Sequence, residues 1–92
     1  MRTVKSIVLA VAAAALGAGA AAQPKNQIGE PLAQIFIQNG CEMAEQDAFD
    51  ALIAGGWFLS DFQAQALALG NDGFLVGTPD GRLKLVNWGP CT

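Results

Sequence analysis

A chain with two cysteines can close only one intramolecular disulfide, and Cys41 and Cys91 stand 50 positions apart. If they pair, the end of the chain must return to the neighbourhood of residue 41, and every element between must fit inside that loop. In the chain-entropy view a loop of this size is worth roughly 4 kcal/mol. That is comparable to all the net stability that the core of so small a domain supplies. Pairing depends on an oxidising compartment, and the start of the chain bears on that.

Met1-Arg2-Thr3-Val4-Lys5 carries two positive charges, an uncharged apolar run follows from Ile7 to Leu16, and small residues then lead to Ala20-Ala21-Ala22. Positive, apolar, then small is the order of a secretory signal peptide. The spacing predicts cleavage before Gln23, with a cut after Ala18-Gly19-Ala20 as second choice. A retained membrane anchor is the weaker alternative, because a spanning helix needs about 20 apolar residues and Ile7–Ala22 is shorter and mostly Ala and Gly. Cys41 is too far from the cut to take a lipid of the bacterial lipoprotein kind. The chain therefore divides into a signal peptide (1–22), a flexible polar leader (23–29) and one small domain (30–92). The expected location is the periplasm or the cell exterior, with no stable membrane anchor after cleavage. There the two cysteines are expected to pair; no C-x-x-C spacing or basic neighbour suggests a reactive thiol.

Cleavage removes Arg2 and Lys5 and leaves three basic residues against eight acidic ones, a net charge of −5 compared with −3 for the whole chain. Such a surface repels nucleic acid and anionic lipid and suits solubility or a basic partner. Part of the 52% hydrophobic content also leaves with the signal peptide.

Local signals order the domain. Pro31 can open a helix, Leu32, Ile35 and Phe36 recur at helical spacing, and Asn39-Gly40 is a stop signal, predicting a helix over Pro31–Gln38; the β-prone Ile35-Phe36-Ile37 leaves a strand as the alternative. A second helix is predicted over Met43–Ala54, with Met43, Ala48, Phe49, Leu52 and Ile53 inward, acidic residues in its first turns and Gly55-Gly56 at its end. Ser60-Asp61-Phe62-Gln63 fits a capping box for a third helix with Phe62, Ala66 and Leu69 or Leu67 inward and Gly70 as its cap. Phe74–Thr78 and Arg82–Val86 read as hairpin arms around Pro79-Asp80-Gly81, a type I turn with a bulge. The second arm alternates polar and apolar residues, as a half-buried strand does. The expected fold class is α+β: two to three helices followed by a C-terminal β-hairpin, closed by Cys41–Cys91.

That order resembles the winged-helix layout of many DNA-binding proteins, although no family motif accompanies it. In that layout the third helix reads the DNA, yet Asp61–Leu69 holds no Arg or Lys. DNA binding needs positive charge against phosphate, so the expectation is a protein-binding scaffold and no nucleic acid partner.

The residue inventory excludes most chemistry. The chain has no His and no Tyr, so Ser-His-Asp and Cys-His arrangements are impossible and the commonest zinc ligand is missing. Glu42/Glu45 and Asp47/Asp50 stand at helical spacing, but a glycosidase pair also needs a cleft, and a solvated acidic face is the simpler reading. Asn71-Asp72-Gly73 and Pro79-Asp80-Gly81 lack EF-hand spacing, and Gly55-Gly56 lacks the Lys and Ser/Thr of a phosphate loop. No catalytic residue, metal or cofactor is expected. The expected function is that of a non-enzymatic accessory protein binding another protein; the alternative is a secreted hydrolase inhibitor (protease or lysozyme type) using the hairpin tip. Trp57-Phe58-Leu59 sits at a chain break, and in so small a domain it is expected to fold onto the core, with an exposed patch as the other possibility. Trp57, Phe58 and Trp88 are the candidate contact residues, since aromatic side chains are favoured interface anchors.

Intact-mass and N-terminal analysis of the exported protein should give a chain beginning at Gln23 with no thiol available to alkylation. A product that retains residues 1–22 would overturn this reading.

Overall fold

The computed structural model describes residues 22–92; the predicted signal peptide lies outside them but for its last residue, Ala22. Pro31 does stand in the first turn of a helix, α1 (Glu30–Gln38), and no strand forms there. After it come β1 (Glu42–Met43), α2 (Glu45–Ala54), α3 (Leu59–Asn71), β2 (Leu75–Gly77) and β3 (Leu83–Leu85). The described residues thus form an α+β domain with three helices and a three-stranded antiparallel sheet in the order β1-β3-β2.

Each helix ends in the same two-bond closure. Cys41 N–H donates to Phe36 O and Gly40 N–H to Ile37 O; the equivalent pairs are Trp57 to Leu52 with Gly56 to Ile53, and Phe74 to Leu69 with Gly73 to Gly70. This is the Schellman motif, which turns the chain through a left-handed residue. The predicted stops at Gly40 and Gly56 are therefore met. The third is displaced: α3 runs through Gly70 to Asn71, and Gly73, at φ +80°, is the turning residue.

The start of α3 also differs from the sequence reading. Phe58, not Ser60, is the capping position, and its N–H donates to the Asp61 carboxylate at 2.8 Å. One half of a capping box forms, shifted by two residues from the Ser60–Gln63 frame. Likewise Met43 lies in a strand and not in α2. Glu42 and Met43 pair with Lys84 and Leu83, adding a third strand to the expected hairpin. Two residues carry too little alternation to reveal a strand.

The hairpin itself is as expected. Val76 stands opposite Lys84, Thr78 N–H donates to Arg82 O, Gly81 N–H donates to Thr78 O, and Gly81 takes φ +85°.

The core gathers Leu32, Ala33 and Phe36 of α1, Ala48 and Leu52 of α2, Phe62 and Leu69 of α3, and Leu85, Trp88 and Cys91 of the C-terminal segment. Trp88 is wholly buried and meets Phe74 edge to face at 5.3 Å between ring centres. Cys41 and Cys91 are joined as expected, with Cα atoms 5.6 Å apart. Trp57-Phe58-Leu59, by contrast, does not fold onto the core: the three side chains are 41%, 73% and 55% exposed. The Schellman closure of α2 carries Trp57 beyond the helix end, and the inward stripe of α3 begins only at Phe62.

Truncating Trp88 to Ala should cost about 3–5 kcal/mol, whereas Trp57→Ala should cost less than about 1 kcal/mol. Denaturant melts of the two oxidised variants would check this; equal losses would contradict the contrast in burial.

Candidate functional site

Candidate contact residues divide on burial. Phe58 and Trp57 lie at the surface, while Trp88 is enclosed by the core and is withdrawn as a contact residue: its burial against Phe74, next to the disulfide, leaves no face for a partner. Its indole N–H finds no acceptor among the described residues.

The exposed aromatic turn leads into a groove that sequence reasoning missed. The first part is a hollow of about 560 Å³ between the start of α2 and the first turns of α3, lined by Glu45, Gln46, Phe49, Leu59, Phe62 and Gln63. Phe49 and Phe62 pack edge to face at 5.4 Å and form its floor. The second part, about 490 Å³, shares Glu45, Phe62 and Gln63 and continues along Ala66, Leu67 and Gly70 of α3 to the sheet. There Leu75, Val76 and Gly77 of β2 and Leu83 of β3 complete it.

Local sequence explains these placements. Positions 59, 62, 63, 66, 67 and 70 recur at three- and four-residue intervals, so they share one side of α3. That side is wider than the core it covers. Phe62 and Leu69 reach inward, while Leu59 and Leu67 overhang as exposed rims. On the sheet, Gly77 stands opposite Leu83 on the helix-facing side, and a side chain built on Gly77 would meet nothing within 4 Å. The missing side chain leaves open space beside the half-buried Leu83, in the hollow that Phe62 also lines.

The groove is electrically simple. Glu45 is the one charged residue among its lining groups. Among the described residues Arg82 is the cation seen in an ion pair, 3.6 Å from Glu42 at the opposite edge of the sheet; exposed pairs of this kind contribute little. No group of three or more His, Cys, Asp or Glu able to hold a metal occurs among the described residues, nor does any helix of theirs have the length and apolarity to cross a membrane.

Comparison with known proteins finds no match among family models, curated proteins or solved structures. The site must be read from its own geometry.

A second feature is the hairpin tip. The Thr78 hydroxyl donates to the Asp80 carboxylate, and the same hydroxyl oxygen accepts from Arg82 N–H at 2.9 Å. The hydroxyl–carboxylate bond, with smaller help from the turn backbone and the Arg82 charge, holds the Asp80 carboxyl below its ordinary value. A lowered folded value means that the charged form supports the turn above the unfolded carboxylate range. That support is lost as pH falls through the folded value.

The Asp80 carboxyl carbon, followed by NMR, should titrate below 3.8 in the native protein, and Thr78→Val should bring it back towards that value. An unchanged midpoint in the variant would remove Thr78 as the cause.

Proposed function

We propose that this chain is an exported, non-enzymatic accessory protein that binds another protein through the groove beside α3 and the aromatic turn at its head. The observation that carries the reading is the run of apolar side chains from Trp57, Phe58 and Leu59 past Phe62 to Leu67, Leu75 and Leu83. A domain of this size has little core to spare, and contiguous exposed apolar surface on a small exported protein marks an interaction site. Aromatic anchors at one end and a wide hollow along the helix match the anatomy of a binding surface, where a few side chains fill pockets.

The order helix, strand, helix, helix, strand, strand, with the first strand beside the last, supports a winged-helix-like arrangement. In that arrangement α3 would be the reading helix. It contains Asp61 and neither Lys nor Arg, so its exposed side favours protein over phosphate. Export, to a periplasm or beyond the cell, rests on the N-terminal signal pattern and agrees with the Cys41–Cys91 bond.

A second reading, inhibition of a hydrolase, draws on the hairpin tip. The Thr78, Asp80 and Arg82 hydrogen bonds pre-organise that protrusion, and a rigid loop loses less entropy on entering a cleft. The groove offers the larger apolar surface and remains the first choice.

A photo-crosslinking amino acid at Phe58 or Leu67 of the full chain, expressed in its own host, should yield an adduct of one defined mass. The same group at Lys84, on the opposite face of the sheet, should yield none. Equal adducts from all three positions, or none from Phe58 and Leu67, would overturn the assignment.

A further inference from the structure

We propose that the partner enters as an extended segment that pairs with the free edge of β2, alternating apolar side chains with Lys or Arg. This deepens the protein-binding reading above and rests on it. The hydrogen-bond register is the starting point. Val86 N–H donates to Phe74 O and Thr78 N–H to Arg82 O, both at 2.8 Å. In an antiparallel ladder this alternation directs the even-numbered residues of β2 at β3 and turns the N–H and C=O groups of Leu75 and Gly77 outward. β3 is satisfied on both sides, since Leu85 N–H donates to Cys41 O across the β1 side. β2 is the outer strand; none of the described residues hydrogen-bonds to its outer edge, which α3 approaches at the Leu75 C=O only through Gly70, a residue with no side chain.

The two edges of the sheet are treated differently. β1 is only two residues long, and Arg82 covers it, its guanidinium near both the side chain and the carbonyl of Glu42. Short length and charge are ordinary protections against strand addition. β2, Leu75-Val76-Gly77, has neither Lys nor Pro within it, and the second part of the groove opens along it. Val76, whose side chain lies on the sheet face opposite Leu75, still borders that hollow, so the hollow reaches the edge itself. A segment laid along β2 would make main-chain bonds to Leu75 and Gly77. Alternate side chains would drop into the space that Gly77 leaves above Phe62 and Leu83. Main-chain pairing supplies affinity in this mode and side-chain pockets supply selectivity.

Charge selects the sign of the segment. Glu45 is the charged group of the lining, Lys25, Arg82 and Lys84 lie outside it, and residues 23–92 carry eight acidic groups to three basic ones. A basic segment is drawn to such a groove and an acidic one repelled.

The test is a random heptapeptide display library selected against the oxidised, exported protein, followed by NMR of the selected peptides with the ¹⁵N-labelled protein. Enriched peptides should alternate apolar residues with Lys or Arg. Binding should slow amide exchange at Leu75 and Gly77 at least tenfold. N-methylation of alternate peptide bonds should weaken it at least tenfold, as should Glu45→Lys. Gly77→Pro removes an outward N–H without breaking the ladder, and Gly77→Val fills the hollow; each should weaken binding at least tenfold, and either suffices if the other misfolds. Selection of helical or acidic peptides, no selection, or protection that bypasses Leu75 and Gly77 would overturn the proposal. So would concentration-dependent protection of those amides without peptide, which would place a second copy of the chain on that edge. Loss of the Phe58 and Leu67 adducts would sink the broader protein-binding reading; their survival in Gly77→Pro and Gly77→Val would sink this one alone.

Discussion

Burial of Trp88 beside the Cys41–Cys91 bond is the constraint on which the rest of this domain depends. The residue lies almost at the end of the chain, after all regular elements, yet it is the largest side chain fully enclosed by the core. Around it the C-terminal segment closes on itself, Trp88 and Cys91 exchanging backbone hydrogen bonds. The disulfide then ties that segment to the end of α1. Cys41 occupies the left-handed region at φ +73°, a conformation costing a non-glycine residue on the order of 1 kcal/mol. It is held there from three sides: its N–H by Phe36, its C=O by Leu85 and its sulfur by Cys91. The cross-link thus lies where helix end, sheet edge and core meet.

A second junction joins α1 to α3. No side chain of its own caps α1. Instead Gln65, buried on α3, accepts the Leu32 N–H at 3.0 Å, satisfying one of the amides that a helix start leaves open. Close approach makes this possible: a side chain on Gly29 would run into Leu69 at 2.4 Å. Gln27, just before it, donates to Asp72 at the far end of α3. The leader therefore ends in specific contacts with the last helix.

With α1, the sheet and the C-terminal segment occupying one side of α3, its other side is left to overhang. Leu59 and Leu67 continue past the covered zone, Phe62 and Ala66 line the hollow beside them, and Gly77 adds no side chain on the sheet side. The same packing leaves β2 outermost. Groove and outer strand are thus two consequences of one arrangement. The hairpin tip stands apart from both, stiffened by its own Thr78, Asp80 and Arg82 bonds.

Much of the architecture was legible in the residues, because short-range stereochemistry dictates it. Pro31 at a helix start, glycines after helix ends, Pro79-Asp80-Gly81 between alternating arms and a lone pair of cysteines each carry a local physical signature. Those signatures yielded three helices, a hairpin and a disulfide in the right order. Most of what they missed was decided at long range. Glu42-Met43 becomes a strand only because β3 lies beside it; the start of α3 was missed for a local reason, the Asp61 carboxylate taking the Phe58 N–H two residues ahead of the Ser60 frame. Trp57 and Trp88 look alike in sequence, each a tryptophan next to glycine in a break, and composition assigns both to either core or surface. Only packing separates them. The disulfide draws Trp88 inside, while the closure of α2 carries Trp57 out. The groove has no sequence signature, since it is the space left between elements distant along the chain. Local propensity determined the pieces and their order; the tertiary structure decided which apolar side chains the core could enclose and which remained at the surface.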